Sequence, residues 1–218
     1  FFSTLSDLSS RCFRSSRDIP IPPYVKQRMN DKILDVQRDW LVYFRGSFRW
    51  FDNDPDYSFG IRQALLKVYG KENNFHLLEG KTTRKTYLKE LSRSVFCLAP
   101  RGFAVWSQRL YEAILYGCIP VIIADEMRLP YDQFLDWTKF SVKVHEQSVL
   151  NGALQDILQS YSADDIEEKQ RALRDSTAGL FYSANPIAKD AFYLAMMNLR
   201  DRRHGLVALA HPSDYQFW

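Results

Sequence analysis

No apolar run in this 218-residue chain approaches the about 20 residues needed to cross a bilayer. The longest, Ile119 to Ala124, has the length of a strand. No charge sign dominates: 29 basic residues stand against 26 acidic ones, a balance too even to argue for nucleic acid or an anionic membrane. Cysteine is scarce. Cys12, Cys97 and Cys118 are too few for a disulfide scaffold and have no zinc spacing, and the last two lie in apolar stretches that suit small buried hydrophobes. The glycine signatures of common nucleotide sites are missing. Neither Gly-x-x-x-x-Gly-Lys-Ser/Thr nor Gly-x-Gly-x-x-Gly occurs, so nucleoside triphosphate hydrolysis and NAD binding lose support. The absence of Gly-x-Ser-x-Gly weighs against a serine hydrolase. His145, His204 and His211 form no metal spacing, and His76 sits within an apolar run as a core histidine would. The chain shows no leader pattern and opens on Phe1 rather than Met, so it reads as a processing product or a piece of something longer.

What is present is a folded globular chain. Hydrophobic residues make up 46% and aromatics 15%, enough for a sizeable core and incompatible with disorder. Residues 1–39 read as a linker, serine-rich at first and then extended through Pro20, Pro22 and Pro23, because proline restricts itself and its predecessor. From Trp40 the pattern becomes regular. Leu41–Phe44, Phe75–Leu78, Val95–Ala99, Ile119–Ala124 and Phe140–Val144 are expected strands. Between them, helices are expected from Ser58 with Ile61, Leu65, Leu66 and Val68 on the buried face, from Thr82 or Thr83 with Tyr87, Leu88 and Leu91 buried, and from Ser107 to Tyr116. Helices are also expected over Leu150–Tyr161, Asp164–Phe181 and Ala188–Arg203, the last with Phe192, Met196 and Leu199 on one side. Residues 204–218 show no period. Strand–helix alternation with continuous apolar strands predicts an α/β fold, a doubly wound parallel sheet of Rossmann type spanning 40–203. Ligands of such sheets bind beyond the carboxyl ends of the strands.

Four groups of residues fall at that edge. Arg45-Gly46 follows the first strand; a guanidinium there suits a phosphate, and glycine allows close approach, although a turn arginine looks the same. Pro100-Arg101-Gly102-Phe103 leads to Ser107 at a helix start, where free amides and a hydroxyl suit a phosphate while Ser107 also caps. Arg109 and Glu112 share a helix face: Arg109 can reach a phosphate and Glu112 can accept from two ribose hydroxyls, or the two can simply pair. Asp125-Glu126 follows the fourth strand, as sugar-binding acids or as a polar turn. Asp52-Asn53-Asp54 has the form of a divalent-metal motif but lies in a polar loop and reads as solvated acid. Trp50 and Phe51 read as rim or core packing.

The run Ser94-Val-Phe-Cys-Leu-Ala-Pro-Arg-Gly-Phe resembles the exostosin family of glycosyltransferases. So do Trp106-Ser-Gln-Arg-Leu-Tyr-Glu-Ala-Ile, Tyr116-Gly-Cys-Ile-Pro-Val-Ile-Ile-Ala-Asp, and the stretch from Leu129-Pro130 to Val142. Upstream, Asp18-Ile-Pro-Ile-Pro-Pro-Tyr, Leu41-Val-Tyr-Phe-Arg-Gly and the helix containing Arg62 match, as does Asp190-Ala-Phe downstream. The resemblance implies the carboxyl-terminal, donor-binding half of a GT-B-type enzyme with two facing Rossmann-like domains. It implies inverting transfer from a UDP-sugar to a polysaccharide or glycoprotein glycan. It further implies a diphosphate neutralised by Arg45, Ser107 and Arg109 without an obligatory metal, a ribose held by Glu112, and a uracil lined by Ala99 to Phe103. Arg101 departs from the family pattern, which carries a small residue or serine there. The catalytic base is expected in the amino-terminal half. Residence in the Golgi lumen within a type II membrane protein, and association with itself or a related transferase, come with the resemblance. Two other readings stay open: a degenerate transferase domain that binds a glycan or partner, and, more weakly, an epimerase.

Overall fold

The computed structural model describes residues 2–4, 6–25, 36–49, 57–185 and 187–209. Two short strands, β1 (Phe2–Ser3) and β2 (Ile19–Pro20), pair in parallel. The main sheet holds β3 (Trp40–Gly46), β4 (Phe75–Glu79), β5 (Ser94–Pro100), β6 (Ile119–Ile123) and β7 (Val142–Lys143) in the order β4-β3-β5-β6-β7. Every pairing in it is parallel. The five expected strands are all there. The last is shorter than expected, because Phe140 and Ser141 belong to the turn after the 3-10 segment Trp137–Lys139.

Both faces are covered. In β3, Tyr43 and Arg45 point to α2 (Arg84–Ser92), where both bond Glu90. Phe44 points the other way, beneath the guanidinium of Arg62 from α1 (Ile61–Tyr69), 5.3 Å from the ring centre. Strand alternation thus sends α1 and α2 to opposite faces. Helix α3 (Gln108–Leu115) packs on β5 and β6. Val42, Phe96, Ile119 and Val121 fill the core between the layers.

Several local expectations are corrected. Ser58 does not start a helix: Ser58, Phe59 and Gly60 adopt left-handed backbone angles in a tight turn, and α1 begins at Ile61. Ser58 Oγ instead donates to the Arg101 carbonyl at 2.5 Å and holds this turn against the strand end. Leu66 and Val68 face outward; Arg62 and Tyr69 take their places beside Ile61 and Leu65. Thr83 supplies the α2 cap, accepting from the Thr86 amide at 3.2 Å, and Ser107 caps α3 as expected. The expected helix over Leu150–Tyr161 is two, α4 (Glu146–Leu150) and α5 (Leu154–Gln159). Between them Asn151 Oδ1 accepts from the Ala153 amide, a local bond that competes with helix continuation. Next come α6 (Ala163–Ser176) and α7 (Ala191–Leu209). On α7 the expected face is reversed: Ala191, Leu194, Ala195 and Asn198 are buried, while Phe192, Met196 and Leu199 are exposed.

Cys97 and Cys118 form a disulfide joining β5 to the turn before β6, rather than two separate buried thiols. Parallel pairing brings them within reach: Cys97 sits opposite Pro120, and their Cα atoms are 5.8 Å apart. Of the stretch expected as a linker, residues 2–4 and 6–25 lie against the domain. The Leu8 amide donates to the Glu126 carbonyl, the Arg128 amide to the Ser6 carbonyl, and Phe13 and Ile19 are buried. No helix among the described residues is long and apolar enough to cross a membrane.

Candidate functional site

The chain order reverses across the sheet between β3 and β5: β4 lies to one side of β3, while β5, β6 and β7 lie to the other. Loops leaving the carboxyl ends of β3 and β5 therefore diverge and leave a crevice. A cavity of about 530 Å³ occupies it. Arg45 and Gly46 from β3 and Ser107, Arg109 and Glu112 from the start of α3 line it, five of the residues singled out from the sequence. Lys81, Arg84 and Tyr87, from the β4–α2 turn and α2, complete the wall. Sequence reading took that turn for a helix cap alone. Applying the strand-end rule to β4 as well as to β3 and β5 would have found them.

The charges are mostly spoken for. Arg45 makes a two-pronged bond to Glu90, Nε to Oε2 at 2.8 Å and Nη2 to Oε1 at 2.6 Å. Tyr43 donates its hydroxyl to the same carboxylate at 2.7 Å. Burial pushes the Glu90 carboxyl up, but these donors outweigh it and hold it below its ordinary value. Glu112 does not pair with Arg109. It accepts from Arg84 Nη1 at 2.5 Å, across to α2. Burial raises the neighbouring Tyr87 phenol, with the Glu112 charge adding to it. Arg109 donates from Nε to the Arg45 carbonyl at 2.7 Å and from Nη1 to Ser107 Oγ at 3.1 Å. Gly46 makes this possible: a Cβ there would lie 2.6 Å from Arg109 Nη2. The glycine accommodates a protein guanidinium as well as lining the cavity.

A second cavity, of about 280 Å³, adjoins the first through Ser47, Ser107 and Arg109. Gly102, Phe103, Tyr57, Trp106 and Arg62 line it. Arg62 is 4% exposed. It donates to the carbonyls of Arg101 at 3.0 Å, Ser47 at 3.0 Å and Pro100 at 3.3 Å, and to the Tyr57 hydroxyl at 2.7 Å. Burial brings its pKa down to about 10. Among the described residues neither Arg62 nor Arg109 is paired with a carboxylate. Arg109 at the junction and Arg62 beside it in the second cavity thus place positive charge near the first amides of α3, an arrangement that suits an anion of two charges.

Three expected site residues lie elsewhere. Arg101 turns away, its guanidinium 3.4 Å from Glu146 and 3.7 Å from the Phe59 ring centre. Asp125 accepts from the Glu146 amide at 3.2 Å and faces His145 Nδ1 at 3.3 Å, serving the start of α4. Pro100 contributes its carbonyl to Arg62 and lines neither cavity. His76 stacks on Trp40 with ring centres 4.0 Å apart, and burial pulls its pKa down. Asp52, Asn53, Asp54, Trp50, Phe51 and His211 fall outside the described residues. Among the described residues no group of three or more His, Cys, Asp or Glu side chains is placed to hold a metal ion.

The sequence model of the Exostosin GT47 domain matches residues 3–161. The chain belongs to this family. Among its relatives, a protein of rice (Oryza sativa subsp. japonica) named probable glucuronosyltransferase is 37% identical over 203 residues, covering 90% of this chain and 48% of that protein. The probable beta-1,4-xylosyltransferase IRX10 of Arabidopsis thaliana is 40% identical over 159 residues, covering 71% of this chain and 38% of that protein. This exostosin-family chain therefore spans about half the length of the curated relatives it matches, or less. A solved structure of TarM overlaps 84% of this chain and 39% of that chain with 14% identity and a TM-score of 0.46.

Proposed function

We propose that this exostosin-family chain is the UDP-sugar-binding half of an inverting glycosyltransferase of the two-domain GT-B type. The observation that carries the reading is the crevice between β3 and β5, where Arg109, without a carboxylate partner among the described residues, stands by the helix start at Ser107, with the carboxylate of Glu112 on the same helix. Ser107 and Glu112 are five residues apart, about 7.5 Å along a helix axis, which suits a phosphate and the ribose attached to it. The diphosphate meets Arg109, Ser107 and the first amides of α3. Glu112 exchanges Arg84 for the ribose hydroxyls. Arg45, held by Glu90, acts through its carbonyl, which aims Arg109.

In the transfer, an acceptor hydroxyl oxygen attacks the anomeric carbon from the face opposite the diphosphate. The carbon–oxygen bond to the phosphate breaks with its electron pair, and the configuration inverts. A base in the other half of the enzyme takes the hydroxyl proton. The negative charge that grows on the departing UDP is stabilised by Arg109 and the α3 start, which are fixed before the reaction. No metal is required in this scheme. The acceptor is a polysaccharide or glycoprotein glycan, and the enzyme works in the Golgi lumen. Calorimetric titration of UDP into the 218-residue chain tests the reading. Saturable binding that survives a magnesium chelator and weakens in Glu112→Ala supports it. No binding at millimolar UDP refutes a donor site in this chain, and unchanged affinity in Glu112→Ala removes the ribose role.

A further inference from the structure

The crevice has two chambers, and their walls differ in kind. The wider one offers Tyr87, Lys81 and the Glu112 carboxylate. The narrower one offers aromatic rings and a buried guanidinium. Phe103 stands at its mouth, 88% exposed. Trp106 Nε1 is buried and has no hydrogen-bond partner among the described residues. Arg62 Nη2 carries two hydrogens and has one acceptor among the described residues, the Pro100 carbonyl at 3.3 Å, which leaves one N–H for a ligand. Gly102 keeps that nitrogen open, since a Cβ there would stand 2.6 Å from it. An aromatic ring at the mouth suits the C–H face of a sugar, and donors left without a partner suit its hydroxyl and phosphate oxygens.

Resting on the donor-site reading above, we infer that the narrow chamber holds the transferred sugar, with Phe103 and Trp106 as its specificity residues, while the wide chamber holds the nucleoside. Three points fix this polarity. Among the described residues the one carboxylate lining either chamber, Glu112, lies in the wide one, and the ribose diol is the part of the donor that gives two adjacent hydroxyl hydrogens. Arg109 stands at the junction, where the diphosphate must pass, and Arg62 lies beside it in the narrow chamber, neither with a carboxylate partner among the described residues. The unsatisfied Trp106 indole lies beyond the junction, on the side away from Glu112. Arg62 is then a positioning residue. It ties the loops after β3 and β5 together through Ser47, Pro100 and Arg101 and presents its spare N–H to the phosphate nearer the sugar. The Gly102-Phe103 pair, which the family resemblance assigned to the uracil, serves the sugar instead.

The test compares UDP with UDP-glucuronate and UDP-xylose, titrated into the wild-type chain and into Trp106→Phe, Phe103→Ala and Tyr87→Phe. Trp106→Phe keeps an aromatic ring, smaller than the indole, and removes the stranded N–H. Phe103 is exposed, so its loss leaves the fold standing, and a melting curve checks both. The expected result is unchanged UDP affinity in Trp106→Phe and Phe103→Ala, with the UDP-sugar affinities falling about threefold to tenfold relative to UDP. Tyr87→Phe should weaken UDP and both UDP-sugars alike. If Phe103→Ala and Trp106→Phe leave the ratio of UDP-sugar to UDP affinity at its wild-type value, or weaken UDP itself as much, the polarity is wrong although the donor site stands. If the wild-type chain binds none of the three, the donor-site reading fails and this inference with it.

Discussion

Replacing Gly46 with alanine puts a carbon 2.6 Å from Arg109 Nη2, and 3.1 Å from both Arg109 Cζ and the Phe44 ring. The Gly46 backbone is not left-handed, so alanine itself is tolerated there. What must yield is the tip of Arg109, the end of a flexible side chain. It gives up the 2.7 Å bond to the Arg45 carbonyl and the 3.1 Å bond to Ser107 Oγ and no longer aims at the junction of the two cavities. A hydrogen bond involving a charged group is worth about 1.5–3 kcal/mol, so losing one to bound diphosphate weakens UDP about 10- to 150-fold. The structural cost is smaller, about 1 kcal/mol, which for a chain of this size lowers Tm by about 2–4 °C. Calorimetry with UDP and a melting curve on the same preparation read the two effects separately. UDP affinity within twofold of wild type, with the fold intact, would show that Arg109 does not hold the ligand. A collapse of Tm would show that the Gly46 contact is structural first.

Other perturbations follow from the same contacts. The Glu90 carboxyl is held below its ordinary value, so its stabilisation is complete above the usual carboxylate range and is lost as pH falls through the folded value. Tm should therefore drop on acidification below about pH 4.3, and Glu90→Gln should flatten that dependence in a melting series. Exchanging Cys97 and Cys118 together for alanine opens a bridge of sequence separation 21 and should reduce unfolding free energy by about 3 kcal/mol in a urea titration. Alkylation before and after reduction, read by mass, reports the bridge directly; free thiols at both positions in unreduced protein would contradict it. Leu65→Ala empties a site with 0% exposure between α1 and the sheet and should cost about 2–5 kcal/mol in the same assay without changing the UDP affinity of what remains folded.

The strands were legible because a parallel sheet covered on both faces needs uninterrupted apolar runs, and Val95–Ala99 and Ile119–Ala124 are such runs. The crevice was legible because topology puts ligands at strand ends, and Arg45, Ser107, Arg109 and Glu112 sit there in sequence. Helix faces were less so. Counting apolar residues chose Leu66 and Val68 for α1, whereas the buried positions are Arg62 and Tyr69. An arginine can fill a core position when carbonyls and a phenol accept its donors, and no periodicity score registers that. In α7, small Ala191 and Ala195 with the polar Asn198 face inward, so the larger residues point out. Pairings were the least legible. Arg45 with Glu90, Arg84 with Glu112 and Cys97 with Cys118 each join residues 21 to 45 positions apart. Nearest-helix-neighbour logic therefore gave Glu112 the wrong partner in Arg109. Asp125 had the right strand end but lies at the far side of β5, where α4 rather than the crevice claims it.

The bridge between Cys97 and Cys118 encloses Leu98 to Gly117, so the whole of α3, with Ser107 and Arg109 at its start, lies inside a covalent ring closed on the middle of β5. A helix in such a ring has no independent way to peel away; opening it drags the central strand's register with it. The amides of α3 should then exchange with solvent deuterium on the timescale of β5, among the slowest in the chain, rather than with the other surface helices. Reduction should release them to exchange on their own. The platform proposed to receive the diphosphate thus shares the rigidity of the sheet centre, and its geometry stays the same between one bound donor and the next.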